Sequence, residues 1–308
     1  MMSSVTETHT NRTTIALQRG SVTAGVDRAG ASLVQLSVGD FSVVPQVSAG
    51  DAAGRYLGSV IAPWPNRIED GRYSFGGREY QLECNESGRR NALHGFTGEQ
   101  SWEVVSHSDA EVTLGIRTGG VVGYPWLVEL QVTYRAEKDG VSVRLRATNT
   151  SDTTAPFGAA FHPYLAFPVG TPSEWTLTMS ARSVVVPDLE RLLPVEEVDV
   201  AHASLDYGYG KYLDAGFLDH AFGAFVDGVV AELADPDGRL IRVEASDDCP
   251  WMQVHKPIDG PLAGSIVIEP QTCPPNGFSS GRDVIELGAG ESVAMSWRVR
   301  VLAGGDAK

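Results

Sequence analysis

The chain has 308 residues, and 42% of them are hydrophobic, which is enough for a substantial core and argues against disorder. Its 39 acidic residues outnumber the 24 basic ones and give a formal net charge of −15. A negative field of this size repels phosphate backbones and anionic lipids. Composition therefore argues against nucleic acid and membrane surfaces as partners and favours a neutral ligand.

The N-terminal segment is polar and lacks the apolar stretch that a signal peptide needs. No run in the chain approaches the roughly 18 apolar residues of a membrane-spanning helix. We expect residues 1–12 to be mobile and the protein to be cytoplasmic. Cys84, Cys249 and Cys273 are widely spaced and form no C-x-x-C pair, which is typical of reduced thiols in that compartment.

Short alternating segments joined by turn residues predict β-strands along most of the chain. The clearest are hairpins at 72–82, at 126–148 and at 231–245, and a final long strand at 292–302. No window of 12 or more residues shows sustained helical periodicity. We predict an all-β fold, a large antiparallel β-sandwich, in one domain that covers residues 13–304. The glycine- and tyrosine-rich segment 205–216 is predicted to be a long loop.

Five local clusters place ionisable groups among glycines, prolines and aromatic residues. In chain order they are PNRI at 65–68, NALHG at 91–95, FHPY at 161–164, LDHAF at 218–222 and IVIEPQT at 266–272. None contains a histidine pair at the spacing of metal ligands, which argues against a catalytic metal. The chain also lacks G-x-G-x-x-G after a strand, a Walker A sequence and G-x-S-x-G. Neither a nucleotide cofactor nor a serine nucleophile is therefore indicated.

Glu269 follows an apolar run at 265–268 that is typical of a buried strand, and it precedes Pro270. Because proline lacks the amide hydrogen, we expect Pro270 to end the strand ladder. A carboxylate at the end of a buried strand faces either a cavity or a partner cation. Desolvation raises its pKa toward neutrality, as a general base requires, but an arginine partner at a sheet edge explains the position as well.

The other clusters each offer one candidate group with two possible roles. His162, between an aromatic residue and a proline, can donate a proton near neutral pH or satisfy a backbone carbonyl. His94 can act on a substrate or stabilise a turn, and Asp219 can accept two hydroxyls or cap a turn. Arg67 can offer a planar fork of donors to ligand oxygens or anchor a loop.

Taken in order, the five clusters resemble the aldose 1-epimerase (galactose mutarotase) family. The matching stretches are P-N-R-I with E-D-G-R-Y, Y-Q-L-E-C-N before N-A-L-H-G-F, F-H-P-Y, F-L-D-H-A-F and E-P-Q-T-C-P-P-N, within residues 55–302. The resemblance implies a single large β-sandwich with a carbohydrate-binding cleft. It also implies an isomerase that interconverts the α and β anomers of a free aldose such as glucose or galactose.

In the family pattern, Glu269 takes the proton of the anomeric hydroxyl and His162 protonates the ring oxygen. The residues that the resemblance assigns to substrate binding are Asn66, Arg67, His94 and Asp219. Mutarotation has no net redox change and needs no phosphate donor, so no cofactor is expected. The expected partner is a small neutral monosaccharide, and the sequence does not distinguish a monomer from a dimer.

Two alternatives stay open at this point. A hexose-6-phosphate 1-epimerase of the same fold would need basic side chains converging on a phosphate, for which Arg72, Arg89 and Arg90 are candidates. A non-catalytic sugar-binding domain would not need both an acid and a base. Aromatic residues near the clusters can cover the apolar face of a sugar; they are Trp64, Phe96, Tyr164 and Phe278.

Overall fold

The computed structural model describes residues 14–48, 54–213 and 216–302. The predicted mobile segment, 1–12, lies outside these ranges, as do residues 13, 49–53, 214, 215, 303 and 304 of the predicted domain. The first strands are β1 (Thr14–Arg19), β2 (Val22–Asp27), β3 (Ser32–Val38), β4 (Phe41–Ser42), β5 (Val60–Ile61), β6 (Arg67–Glu69), β7 (Arg72–Phe75), β8 (Arg78–Gln81) and β9 (Asn91–Leu93).

The middle of the chain continues the series of strands. They are β10 (Glu103–His107), β11 (Glu111–Val121), β12 (Tyr124–Ala136), β13 (Gly140–Asn149), β14 (Ala155–Phe157), β15 (Ala160–Phe161), β16 (Tyr164–Leu165), β17 (Thr176–Met179) and β18 (Ser183–Pro187). The last are β19 (Pro194–Asp199), β20 (Lys211–Tyr212), β21 (Asp219–Gly223), β22 (Val229–Ala234), β23 (Leu240–Ala245), β24 (Trp251–His255), β25 (Ile266–Gln271), β26 (Ile285–Leu287) and β27 (Ser292–Leu302). Helical structure in the described residues is limited to two 3₁₀ turns, Thr97–Glu99 and Pro172–Glu174, and α1 (Gly277–Ser280).

Two large antiparallel sheets dominate the fold. One has nine strands in the order β10-β11-β12-β13-β27-β23-β22-β17-β20. The other has eight: the path β19-β18-β21-β24-β25-β15-β5, with β16 also paired to β25. A four-stranded sheet, β1 to β4, and three two-stranded pairs complete the described structure. The predicted antiparallel β-sandwich is confirmed.

The predicted hairpins are present as antiparallel pairs: β7 with β8, β12 with β13, and β22 with β23. The final strand, β27, lies between β13 and β23 in the nine-stranded sheet. The predicted loop at 205–216 is interrupted by β20, a two-residue strand that pairs with β17 at the sheet edge. Residues 214 and 215 of that loop lie outside the described ranges.

The core lies between the two large sheets. Residues of β12 alternate between buried and more exposed positions, as expected where one face of a strand packs inward. Across the core, the ring of Phe161 on β15 packs 5.6 Å from the ring of Trp297 on β27. Because successive strand residues point to opposite faces, Phe161 and Ile268 enter this core while their neighbours His162 and Glu269 face away from it. None of the described helices is long and apolar enough to cross a membrane.

The expectation that Pro270 ends the ladder is wrong. Strand β25 continues to Gln271, and Pro270 lies opposite Met252 of β24. On the other side of β25, Gln271 pairs with Ala160 and Val267 pairs with Tyr164, but no strand residue pairs with positions 268 to 270. The proline is tolerated because it sits where the neighbouring strand is interrupted, around His162 and Pro163. Glu269 therefore lies inside a strand rather than beyond its end.

Candidate active site

The floor of the candidate site is one face of three adjacent strands, β21, β24 and β25. Gln253 lies directly opposite Glu269, and Asp219 lies directly opposite His255. Since side chains opposite each other share a face, these four residues form one polar surface, here called the polar face. The side chain of His255 is 35% exposed and that of Glu269 is 3% exposed, so the polar face opens to solvent at the His255 end.

Glu269 and His162 are in direct contact in this buried environment. The Oε1 atom of Glu269 lies 3.4 Å from Nε2 of His162. Burial, reinforced by the nearby charge of Asp219, raises the pKa of Glu269 from 4.5 to about 8. Burial, with a further contribution from His255, lowers the pKa of His162 from 6.5 to about 3. Both groups are therefore neutral near pH 7, with the proton on the carboxyl group.

The pair holds a single exchangeable proton over a wide pH range. A protonated carboxyl beside a neutral imidazole and a carboxylate beside an imidazolium contain the same number of protons. They differ only in where that proton sits. The contact of Glu269 with His162 is therefore a site where one proton can be given and another taken, with no net exchange with solvent.

His94 presents a fixed hydrogen-bond donor. Its Nδ1 accepts a hydrogen bond from the backbone N–H of Asn66 at 3.2 Å. Burial, followed by the charges of His162 and Arg67, holds the pKa of His94 well below 6.5. The ring is therefore neutral, and because Nδ1 is an acceptor, Nε2 carries the hydrogen. The ring centroid of His94 lies 5.3 Å from that of His162.

The backbone around His94 is strained, which fixes this arrangement. Asn66 and His94 have φ angles of 53° and 57°, in the left-handed region that side chains seldom adopt. The Oδ1 atom of Asn66 accepts from the backbone N–H of Arg67 at 3.0 Å. Gly95, also at positive φ, passes so close to Ala62 that an added Cβ would lie 2.1 Å from the carbonyl oxygen of that residue. The glycine of the LHG cluster is therefore required by packing.

Arg67 uses one edge of its guanidinium within the protein. Its Nε and Nη2 donate to the two carboxylate oxygens of Glu86 at 3.0 and 3.1 Å. Burial alone would raise the pKa of Glu86, but hydrogen bonds from Arg67 and Asn91 and the charges of Arg67 and Arg89 lower it below 4.5. Nη1 makes no hydrogen bond to the described residues, so it is the donor left for a ligand. Arg67 therefore anchors a loop, which is one of its two predicted roles. It also keeps one donor for the other predicted role, contact with ligand oxygens.

Replacing Glu86 by glutamine is expected to lower the free energy of unfolding by about 3 kcal/mol at pH 7, because it leaves the Arg67 guanidinium largely buried without its counter-charge. The folded-state pKa of Glu86 is lowered, so its stabilising contribution is present above the unfolded value and is lost as pH falls through the folded one. The difference in unfolding free energy between the wild type and the variant should therefore be smaller in acid. Urea unfolding at about pH 7 and pH 3 measures both effects.

The matched control is Glu137→Gln. Glu137 pairs with Arg19 at 3.1 Å, but the two side chains are 37% and 54% exposed. An exposed pair contributes at most about 1 kcal/mol. Equal losses in the two variants would contradict a special role for the contact between Glu86 and Arg67.

The sequence patterns do not identify Gln253, His255 or Glu86. Gln253 donates from Nε2 to Oδ1 of Asp219 at 2.6 Å, and its own Oε1, buried, has no partner among the described residues. Nδ1 of His255 lies 3.8 Å from the same Asp219 oxygen. Two polar residues at alternate positions in the buried run WMQVH are a signal that could have indicated this face. The spacing of Glu86 and Arg67 in the sequence does not indicate that their side chains are in contact.

Three of the four aromatic candidates are buried among other side chains. Trp64 and Phe278 are almost fully buried, with ring centroids 6.1 Å apart, and Tyr164 stacks on His162 at 5.3 Å. Tyr56, which the sequence patterns also leave out, is only partly buried. Its ring lies 4.7 Å from that of His94 and 6.1 Å from that of His162.

The three arginines considered for a phosphate each have a partner within the protein. Arg89 pairs with Glu86 at 3.1 Å, Arg90 lies 3.9 Å from Asp70, and Arg72 donates to Gln81 on the exposed hairpin β7–β8. Among residues 14–48, 54–213 and 216–302, no group of three His, Cys, Asp or Glu side chains is arranged to hold a metal ion.

The model of the aldose 1-epimerase family matches residues 13–300, nearly the whole chain. The chain belongs to the aldose 1-epimerase family. A relative with 30% identity over 93% of this chain and 92% of its own length is the uncharacterized protein YihR of Escherichia coli. An E. coli protein named aldose 1-epimerase is 26% identical over 54% of this chain and 52% of its own length.

Solved structures show the same fold as this aldose 1-epimerase family member. A GalM/aldose epimerase homologue from C. elegans superposes with a TM-score of 0.84 at 19% identity, covering 94% of this chain and 99% of that one. A galactose 1-epimerase from Lactobacillus acidophilus gives a TM-score of 0.78 at 20% identity, with 94% of each chain covered. The predicted family is confirmed. Glu269 and Asp219 lie on the polar face, and His162 contacts Glu269. His94 lies beside His162, and its Nδ1 accepts a hydrogen bond from the backbone of Asn66.

Proposed function

We propose that this member of the aldose 1-epimerase family is an isomerase that interconverts the α and β anomers of a free, neutral aldose such as glucose or galactose. The observation that carries the proposal is the buried 3.4 Å contact between Glu269 and His162. An acid and a base in contact, sharing one proton, match a reaction that moves one proton onto a sugar and another off it.

Ring opening uses the charged form of the pair. The carboxylate of Glu269 takes the proton of the anomeric hydroxyl while the imidazolium of His162 gives its proton to the ring oxygen. The bond between C1 and the ring oxygen breaks, the C1–O1 bond becomes the aldehyde double bond, and the pair is left as carboxylic acid and neutral imidazole. That product is the neutral form that burial favours in the free site.

Ring closure reverses these transfers after the C1–C2 bond rotates. The neutral imidazole of His162 takes back the proton of the C5 hydroxyl as its oxygen attacks the other face of the aldehyde. Glu269 returns a proton to the developing O1. Protons and electrons balance within the sugar and the two side chains, so the proposed reaction calls for no cofactor.

Four further residues are proposed to bind the sugar. Asp219 offers carboxylate oxygens to hydroxyl groups, and Arg67 offers Nη1. His94 offers its Nε2–H, a neutral donor suited to a sugar oxygen. Asn66 holds His94 and the backbone of Arg67 in place and keeps its amide nitrogen for a ligand. Hydrogen bonds to charged groups are stronger than neutral ones, so Asp219 and Arg67 are expected to dominate affinity.

A phosphorylated sugar and a purely binding role are less well supported. Arg89 and Arg90 lie beside the carboxylates of Glu86 and Asp70, and Arg72 lies on an exposed hairpin, so these residues are less suited to receive a phosphate. A binding domain has no use for a buried carboxyl group in contact with an imidazole, because burying such groups costs free energy. We also propose a cytoplasmic location, which the free thiols of Cys84, Cys249 and Cys273 support.

Polarimetry tests the proposed function. Fresh α-D-glucose, α-D-galactose, other free aldoses and glucose 6-phosphate are dissolved with and without the protein, and the change in optical rotation is followed. We expect acceleration beyond the spontaneous rate with at least one neutral aldose and a smaller effect with the phosphate ester. Rates equal to the spontaneous ones for every free aldose would refute the proposal.

A further inference from the structure

Gln271 holds one oxygen of the Glu269 carboxyl group. The two residues alternate with Pro270 on β25, so they share a face of the strand. Nε2 of Gln271 donates to Oε2 of Glu269 at 3.1 Å, while the other oxygen, Oε1, faces His162 at 3.4 Å. The two carboxyl oxygens therefore have different partners, one a fixed amide and the other the imidazole.

Stability does not explain why an amide stands at this position. Gln271 is fully buried, and its own Oε1 has no hydrogen-bond partner among the described residues. An unpaired buried carbonyl costs free energy, whereas an apolar side chain of similar length would avoid that cost. The hydrogen bond to Glu269 is therefore the feature that explains an amide at this position.

We propose that Gln271 is a positioning residue that fixes Oε2 of Glu269, so that Oε1 is the oxygen that exchanges the proton with the sugar. This inference rests on the proposed function, in which Glu269 is the base. Gln271 acts through Glu269, and the reacting atoms are left to Glu269 and His162.

The same hydrogen bond tunes the base. A donor bonded to a carboxylate stabilises its ionised form and lowers its pKa. The bond from Gln271 opposes the effect of burial and of Asp219, and with this bond in place the pKa of Glu269 is about 8. Without the amide, the carboxyl group would hold its proton to higher pH and would be a base in a smaller fraction of molecules.

Gln271→Met tests the inference, because methionine has a similar length and no donor. The titration of the Glu269 side chain, followed by carbon-13 NMR of labelled glutamate, should move upward by about 1 pH unit. The pH above which kcat falls, because the pair then loses its shared proton, should move the same way, with kcat near pH 7 down by about tenfold and KM nearly unchanged. The midpoint of urea unfolding should be equal or higher.

Thr118→Val is the matched control. Thr118 is buried on β11 of the other large sheet, and its Oγ1 also has no partner among the described residues. Valine removes that oxygen with little change of shape. The control should leave the Glu269 titration and the pH dependence of kcat unchanged.

Gln271→Glu serves if the methionine variant does not fold, since it keeps the size and shape of the side chain. A second carboxyl group beside Glu269 should raise its pKa further than methionine does. An unchanged Glu269 titration in a folded Gln271 variant would overturn the inference. A wild-type protein inactive on all aldoses would instead refute the proposed function, because the NMR titration needs no turnover.

Discussion

Replacing Glu269 by glutamine is expected to lower kcat for mutarotation by about 10²–10⁴-fold, the usual contribution of a well-placed general acid–base group. Glutamine keeps the volume of the side chain and can bond to both Gln271 and His162, but it cannot accept a proton. Because binding is assigned to other residues, KM should change little. Initial rates from polarimetry give both constants, and a variant within about threefold of the wild-type kcat would exclude Glu269 as the base.

The same variant should be more stable than the wild type in alkaline solution. The pKa of Glu269 is raised from 4.5 to about 8 in the folded protein. Between these values the folded state keeps a proton that the unfolded state has released, so the free energy of unfolding of the wild type falls as pH rises. The free energy of unfolding of the variant does not fall in this way. At about 1.4 kcal/mol per pKa unit, the variant gains on the order of a few kcal/mol of unfolding free energy relative to the wild type by pH 8.

His162→Gln is expected to lower kcat by a similar factor of about 10²–10⁴, because the ring oxygen then lacks its proton donor. Its effect on stability should run the opposite way with pH. The pKa of His162 is lowered from 6.5 to about 3, so the unfolded state binds a proton that the folded state excludes. The wild type therefore loses stability as pH falls through this range, and the variant gains on the acid side.

Combining the two substitutions tests whether the residues act as one unit. The double variant should be little slower than either single variant, since removing one member of a shared proton pair already disables the other. Urea unfolding of all three variants between about pH 4 and pH 9 should show the two opposite stability trends. Losses of kcat that multiply, or stability trends of the same sign, would contradict a shared proton.

Local signals account for the parts of the fold that the sequence predicts. The hairpin of β22 and β23 turns at Asp235–Gly238, where the residue types themselves favour a reversal. The order of strands in the eight-stranded sheet has no such signal, because β21, β24 and β25 meet through pairing between distant segments. The expectation that Pro270 ends its strand is wrong for the same reason. The sheet accommodates this proline because the neighbouring strand is interrupted there, and no local sequence pattern indicates that interruption.

In the candidate site, too, some residues have a local sequence signal and others are brought together only by the fold. His94, His162 and Glu269 stand out because each ionisable group lies among glycines, prolines or apolar residues. Glu86 does not stand out in the sequence, because its role depends on its contact with the Arg67 side chain, 19 positions away. The alternating pattern shows that Gln253 and Glu269 each point away from the core, but only the register of β24 and β25 places them opposite each other.

The central position of β21, β24 and β25 has a consequence for the dynamics of the protein. Each has a hydrogen-bonded strand on both sides, and their inward-facing neighbours, such as Ile268, belong to the main core. Separating β24 from its two neighbouring strands would therefore require nearly global unfolding. We expect the backbone amides of β24, which pairs with both β21 and β25, to exchange hydrogen as slowly as any in the protein, and activity to survive until cooperative unfolding. The proposed base, Glu269, is thus carried by a strand that packs beside a part of the molecule that we expect to fluctuate little.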